Sequence, residues 1–199
     1  DENIRSQIEH IKFDKLKFVN KWFLIPLPII RLKDYYEKWE KEGKIEIVFD
    51  EISKLKAGDR VLLSFEYGPS TMPEIHPMSV ALLKHMFSKN VLVFAVALWP
   101  DGNFMSSEAF IQVSQEYSKK EGVDYVNLGY KPGGEAVIKG IASDIRTLYT
   151  VDLNGTSLDE IPMMEGINSV EDFDFVFSLS AIQPITPTFT PLFFFFLLF

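Results

Sequence analysis

The run Val91-Leu92-Val93-Phe94-Ala95-Val96-Ala97-Leu98-Trp99 decides how this chain folds. It is apolar throughout, rich in valine, too short for a core helix, and closed by the turn signal Pro100-Asp101-Gly102. A strand with one wet face alternates apolar and polar residues. A continuous apolar strand is covered on both faces, as the strands of parallel sheets are. Working outward, Arg60–Phe65, Asp124–Gly129 and Asp174–Leu179 repeat the theme. Helical patterns lie between them. Residues 78–88 place Met78, Leu82, Leu83 and Met86 on one face. Residues 107–120, after a candidate cap at Ser106 or Ser107, turn Phe110, Val113 and Tyr117 inward. Residues 135–148 align Val137, Ile141, Ile145 and Leu148. Strand–helix alternation with right-handed crossovers predicts an α/β domain over 45–181. It is expected to be a three-layer, Rossmann-like sandwich around a mainly parallel sheet of about four strands, in the order 3-2-1-4.

Residues 45–56 are ambiguous. Ile45, Ile47 and Phe49 alternate like a strand, whereas Val48, Ile52 and Leu55 repeat like a helix. A helix from Ile47 to Lys56, stopped by Ala57-Gly58, is the favoured expectation. Residues 1–44 read as an N-terminal helical segment and linker. Ile4, Ile8, Ile11, Phe18 and Trp22 approximate helical spacing, Pro26 and Pro28 interrupt it, and a short helix is expected from Asp34 to Glu42. That first helix can pack on a protein surface or lie on lipid. Residues 182–199 form an aberrant Pro/Thr/Phe-rich tail ending in Phe193-Phe194-Phe195-Phe196-Leu197-Leu198-Phe199, which has no amphipathic period. It can begin a membrane segment, dock on the domain or a partner, or stem from a shifted reading frame.

Composition removes several function classes. The 199 residues contain no cysteine, which excludes disulfides, thiolate metal sites and a cysteine nucleophile. The net charge is −8 without a basic block, which argues against a nucleic-acid partner. The apolar stretch from Phe18 to Ile30 is shorter than the roughly 20 residues that span a bilayer. The chain as written is expected to be soluble or peripherally attached to a membrane.

The segment from Ala57 to Ala181 resembles a family of uncharacterised prokaryotic proteins that are usually membrane-anchored. The resemblance rests on Leu63-Ser64-Phe65-Glu66-Tyr67-Gly68-Pro69-Ser70, His76-Pro77-Met78, Ala97-Leu98-Trp99-Pro100 and Asp124-Tyr125-Val126-Asn127-Leu128-Gly129-Tyr130-Lys131-Pro132-Gly133. Gly155-Thr156, Asp159-Glu160-Ile161-Pro162-Met163-Met164 and Phe177-Ser178-Leu179-Ser180-Ala181 extend it. It implies an α/β domain held at a membrane by apolar helices outside this segment, with the membrane or a membrane-protein subunit as partner. It carries no established activity, so no catalytic residue is transferred. After Ala181 the family pattern leads to expect a glycine and a further α/β segment. The tail found instead favours a truncated or frame-shifted copy.

Open α/β sheets bind ligands beyond the carboxyl ends of their strands. Those ends offer Glu66, Tyr67, Ser70, Thr71, Glu74 and His76, then Trp99 and Asp101, then Tyr130, Lys131, Gly133 and Gly134, and finally Ser178 and Ser180. Lys131-Pro132-Gly133-Gly134 is the most suggestive piece. It joins a strand to a helix whose N-terminus favours an anion, although Glu135 would oppose one. It is neither a P-loop nor a dinucleotide fingerprint, and a Gly-rich turn needed only for close packing is the plainer explanation. Ser70, Trp99, Lys131, Gly133 and Gly134 are therefore the candidate ligand contacts. Glu66 and His76 are the weak catalytic candidates, since the two could form an acid–base pair, or a divalent-metal site with Glu74. Ser64, Ser70 and Ser178 lack the hydrolase elbow. Asp152, Asp159 and Glu160 lie in a long connection, Tyr149 to Val170, where solvated carboxylates are the plain reading and acid–base work or Mg²⁺ the sharper one. His10 and His85 read as structural. No metal or cofactor is implied. The leading expectation is a membrane-associated module that binds a small ligand or a partner protein within a larger assembly. The alternatives are an enzyme acting on a phosphorylated or carboxylated small molecule, and a truncated copy without function.

Overall fold

The computed structural model describes residues 46–180. The expectations for 1–44, His10 included, and for 182–199 lie outside the described residues. The elements run α1 (Glu46–Lys54), β1 (Arg60–Glu66), α2 (Met72–Ser88), β2 (Leu92–Ala97), α3 (Gly102–Ser114), β3 (Tyr125–Tyr130), α4 (Glu135–Ser143), α5 (Ile145–Leu148) and β4 (Phe175–Ser180). The four strands form one sheet in the order β3-β2-β1-β4, with every neighbouring pair parallel. In register, Val61 sits between Val93 and Phe175, and Glu66 lies opposite Ser180. The pairing of β2 with β3 slips between Ala95 and Ala97.

Both faces of the sheet are covered, which is why the strands read as unbroken apolar runs. Val61, Leu63, Phe65, Val93 and Ala95 share one core with Leu83 and Met86 of α2 and Phe110 and Val113 of α3. Leu62, Phe94, Val96, Val126 and Leu128 share the other with Val137 and Ile141 of α4 and Ile145 of α5. The result is a three-layer, Rossmann-like α/β sandwich. Buried His85 belongs to the α1–α2 contact, where it stacks on Phe49 with ring centroids 4.2 Å apart. Burial pulls its pKa down to about 4, so the ring is neutral at pH 7.

The helix boundaries depart from expectation at three places. α2 begins at Met72 rather than Met78, because Pro73 falls in its first turn, where no N–H partner is required. Pro77 lies inside the helix. α3 begins at Gly102 and ends at Ser114, and neither Ser106 nor Ser107 caps it. Both hydroxyls instead donate back to the Asn103 carbonyl, at 3.1 and 2.8 Å, as serines within helices do. The expected 135–148 helix breaks at Asp144, whose carboxylate accepts from the N–H groups of Arg146 and Thr147 and starts α5 afresh.

The long connection from Tyr149 to Val170 is built as part of the core. Leu158, Ile161, Met164 and Ile167 are buried in the second cluster, on short 3-10 turns at Leu158–Glu160 and Pro162–Met164. Arg146 ties it down, donating to the carbonyls of Ile167 (2.8 Å) and Met164 and pairing with Asp159 at 2.7 Å. Buried Asp152 accepts from the N–H groups of Asn154 (2.9 Å) and Thr156 (2.8 Å) and so folds the Asn154-Gly155 turn. Asp152 and Asp159 therefore serve the connection itself.

Candidate functional site

Because all four strands are parallel, their carboxyl ends emerge along one edge. Two close approaches shape that edge. A Cβ on Gly102 would lie 2.2 Å from the Phe65 carbonyl oxygen, so only glycine lets α3 start this near the end of β1. The Asp101 carboxylate approaches Gly68 in the turn after β1, which brings the first two loops together. The helix that follows β2 packs on one face of the sheet, and the helix that follows β3 packs on the other. Neighbouring strand ends whose chains leave in opposite directions open a crevice between them. Trp99, 38% exposed, follows β2, and Lys131-Pro132-Gly133-Gly134 follows β3.

The lysine turn is local in origin. The Lys131 N–H donates to the Ala97 carbonyl at 3.3 Å, which extends the ladder one residue past β3. Gly133 and Gly134 then take φ values of +138° and +51°, a backbone that side chains disfavour. Gly134 precedes α4, where the Ala136 and Val137 N–H groups donate back to the Gly133 and Gly134 carbonyls, both at 3.1 Å. Glu135, a local charge opposed to an anion, pairs with Lys139 at 2.7 Å. The Lys131 ammonium lies 5.5 Å from the centre of the Tyr149 ring.

Tyr149 is the residue that sequence reasoning missed. It directly follows α5, its side chain is wholly buried, and its hydroxyl has no hydrogen-bond partner. The Asp144 break that ends α4 is what brings it here, in one cluster with Val96 and Leu128 from the ends of β2 and β3. Burial holds its phenol well above the usual tyrosine pKa, and the Glu66 carboxylate adds to the effect. Ser64 and Leu98 fix the carboxylate: the Ser64 hydroxyl and the Leu98 N–H (3.0 Å) both donate to Oε1. Desolvation raises the Glu66 pKa, and these two bonds oppose the rise. Ser64 and Glu66 are two apart in β1 and share a face, a polar pair visible in the sequence as the even positions of an otherwise apolar strand.

Glu66 and His76 do not come together. Tyr67, one residue on, belongs to the opposite core, and His76 joins Tyr67 there, the phenol oxygen and Nδ1 being 2.9 Å apart. Buried Ser79 donates to the same phenol at 2.9 Å. Burial lowers the His76 pKa, while a hydrogen bond donated to Gln112 and the charge of Glu108 work against it. Burial likewise pushes the Tyr67 phenol up to about 12. Ser70 and Thr71 sit on the turn between β1 and α2, Ser70 exposed. Ser178 and Ser180 line up with Ser64 and Glu66 on the neighbouring strand. Among the described residues, no group of three His, Asp or Glu side chains is arranged to hold a metal ion.

Parallel strands with helices on both faces define an α/β domain of Rossmann-like architecture. No protein-family model, curated protein or solved structure matches the chain.

The orphaned hydroxyl gives a test of this geometry. A buried hydroxyl without a partner costs roughly 1–3 kcal/mol of desolvation. Tyr149→Phe removes it while keeping the ring under Lys131, so the ligand-free protein is expected to gain about 1 kcal/mol, read as a higher urea midpoint at unchanged m-value. A variant destabilised by a similar amount would mean that the hydroxyl is already satisfied within the fold.

Proposed function

We propose that this chain is a membrane-associated α/β module that binds a small anionic ligand in the crevice at the carboxyl edge of its sheet. The observation that carries the reading is the meeting of Lys131, the positive-φ glycines before α4 and the orphaned hydroxyl of Tyr149 between two strands whose helices diverge. A cation beside the N-terminal end of a helix and a buried donor both favour negative charge. Trp99, after β2, and Ser70, after β1 on the same edge, are further candidate contacts. A binding role is preferred to catalysis because Glu66 and His76, the available acid and base, bond to different partners in different cores. The membrane half of the proposal rests on the resemblance and on the apolar segments Phe18–Ile30 and Phe193–Phe199. No helix among the described residues is long and apolar enough to cross a bilayer.

Titration of the protein with inorganic phosphate and with acetate, followed by amide chemical shifts, tests the site. Shifts are expected at Lys131–Glu135 and Trp99. Lys131→Met is expected to weaken binding about tenfold or more, since a hydrogen bond to a charged group is worth about 1.5–3 kcal/mol. Shifts confined elsewhere, or equal affinity in the variant, would refute the site. For the membrane half, flotation of the full chain with anionic phospholipid vesicles should carry the protein upward, and a chain that stays at the bottom at every salt concentration contradicts it.

A further inference from the structure

We infer that α1 is an acid-released latch: it docks on α2 through the neutral ring of His85, and protonation of that ring undocks it. The contact between the two helices is organised around this side chain, which is 4% exposed. Phe49 stacks on the ring, with centroids 4.2 Å apart and planes inclined by 21°. The Ser53 hydroxyl lies 3.3 Å from Nε2. Lys89, one turn further along α2, donates to the Ser53 carbonyl at 2.8 Å. Phe49, Ile52 and Ser53 fall at i, i+3 and i+4, so one face of α1 meets the ring. Ile52 is wholly buried on that face, and Val48 and Leu55 pack beside it.

The contact accommodates one charge state of the ring. Neutral imidazole carries a single N–H, which Ser53 can accept at Nε2. Nδ1 is buried without a partner. Protonation would place a second N–H there with no acceptor, and a full positive charge between helices. Among the described residues no carboxylate is bonded to the ring to balance that charge. On α1, Asp50 is exposed and Glu51 pairs with Lys54 at 2.6 Å. On α2, Lys84 pairs with Glu116 at 2.7 Å, and the Lys89 ammonium repels a proton on the ring. Burial and then Lys89 hold the docked ring near pKa 4, against its ordinary value of 6.5. Undocking exposes the ring on the surface of α2 and restores the ordinary value. Docking is therefore at full strength above about pH 6.5, weakens as the pH falls, and weakens no further below about pH 4. The docking constant is expected to drop about 30-fold at pH 5 and about 100-fold at pH 4, relative to neutral pH.

Pulsed electron-spin distances on the full chain test the latch. One pair of labels is placed at Asp50→Cys in α1 and Ile111→Cys in α3, and a control pair at Ile111→Cys and Val123→Cys, all at exposed positions. The Asp50 pair should give a narrow distance at pH 7.5 and a longer, broad one at pH 4, while the control pair stays unchanged. His85→Phe keeps a flat ring against Phe49 and cannot be charged, so it should hold the narrow distance at pH 4. His85→Leu serves if the phenylalanine variant fails to fold. A wild-type Asp50 distance that stays narrow at pH 4 overturns the latch. Broadening of both pairs together also overturns it, because acid would then unfold the domain as a whole. Release at pH 4 that persists in both variants overturns the assignment to His85. Release already at pH 7.5 in both variants does so too, since the contact would then depend on the fit of the ring and not on its charge.

Discussion

The parallel pairing of β1 with β2 on one side and β4 on the other is the constraint on which everything else depends. A parallel ladder cannot be closed by hairpins, so each strand must be followed by a crossover that returns the chain to the opposite end. Those crossovers blanket both faces and force the strands to be apolar on both sides. They also gather every strand-to-helix turn at one edge. Glu66, Trp99 and Lys131 are far apart in sequence, and this topology alone makes them neighbours in one region.

The second crossover type then gives that edge its chemistry. The return from β3 to β4 passes over the opposite face from α2 and α3, and it is made from α4, α5 and the long buried connection. The Asp144 break between α4 and α5 changes the chain's direction and delivers Tyr149 to the cluster beneath the strand ends. Arg146, in the same short helix, clamps the connection through the Met164 and Ile167 carbonyls and Asp159. One local feature, a helix capped afresh by an aspartate, therefore serves both the packing of the second face and the position of a buried hydroxyl that lacks a partner.

The sheet was legible in the sequence because its signal is local and strong. Val91–Trp99 and its three companions have no polar interruption long enough to suggest another element; the order 3-2-1-4, which crossover handedness alone does not fix, is the one found. Helix starts were less legible. Pro73 and Pro77 read as loop stiffeners, yet the first tolerates a helix start and the second is accommodated inside, held by tertiary packing that propensity does not encode. The candidate site was legible only as a set of strand ends. That Glu66 and His76 part company follows from a single-residue alternation, Glu66 to one face and Tyr67 to the other, which a strand ending one residue earlier would not have revealed. Tyr149 closes an apolar helical stripe and reads as core. Nothing in its spacing signals that its hydroxyl is left without an acceptor, since that depends on where Asp144 bends the chain.

The most direct test of the common strand edge is a set of pulsed electron-spin distances, for which the cysteine-free sequence is well suited. Spin labels would be placed in pairs at exposed Ser70, Asp101 and Pro132, after β1, β2 and β3, and at exposed Asn90, Val123 and Asp174, before β2, β3 and β4. Strands of this length separate the two ends by about 20 Å. The account predicts that the first three labels cluster with one another and lie about that much farther from the second three. A label from either set that falls among the other would mean that a strand runs the opposite way, and the crevice would have no common edge in which to form.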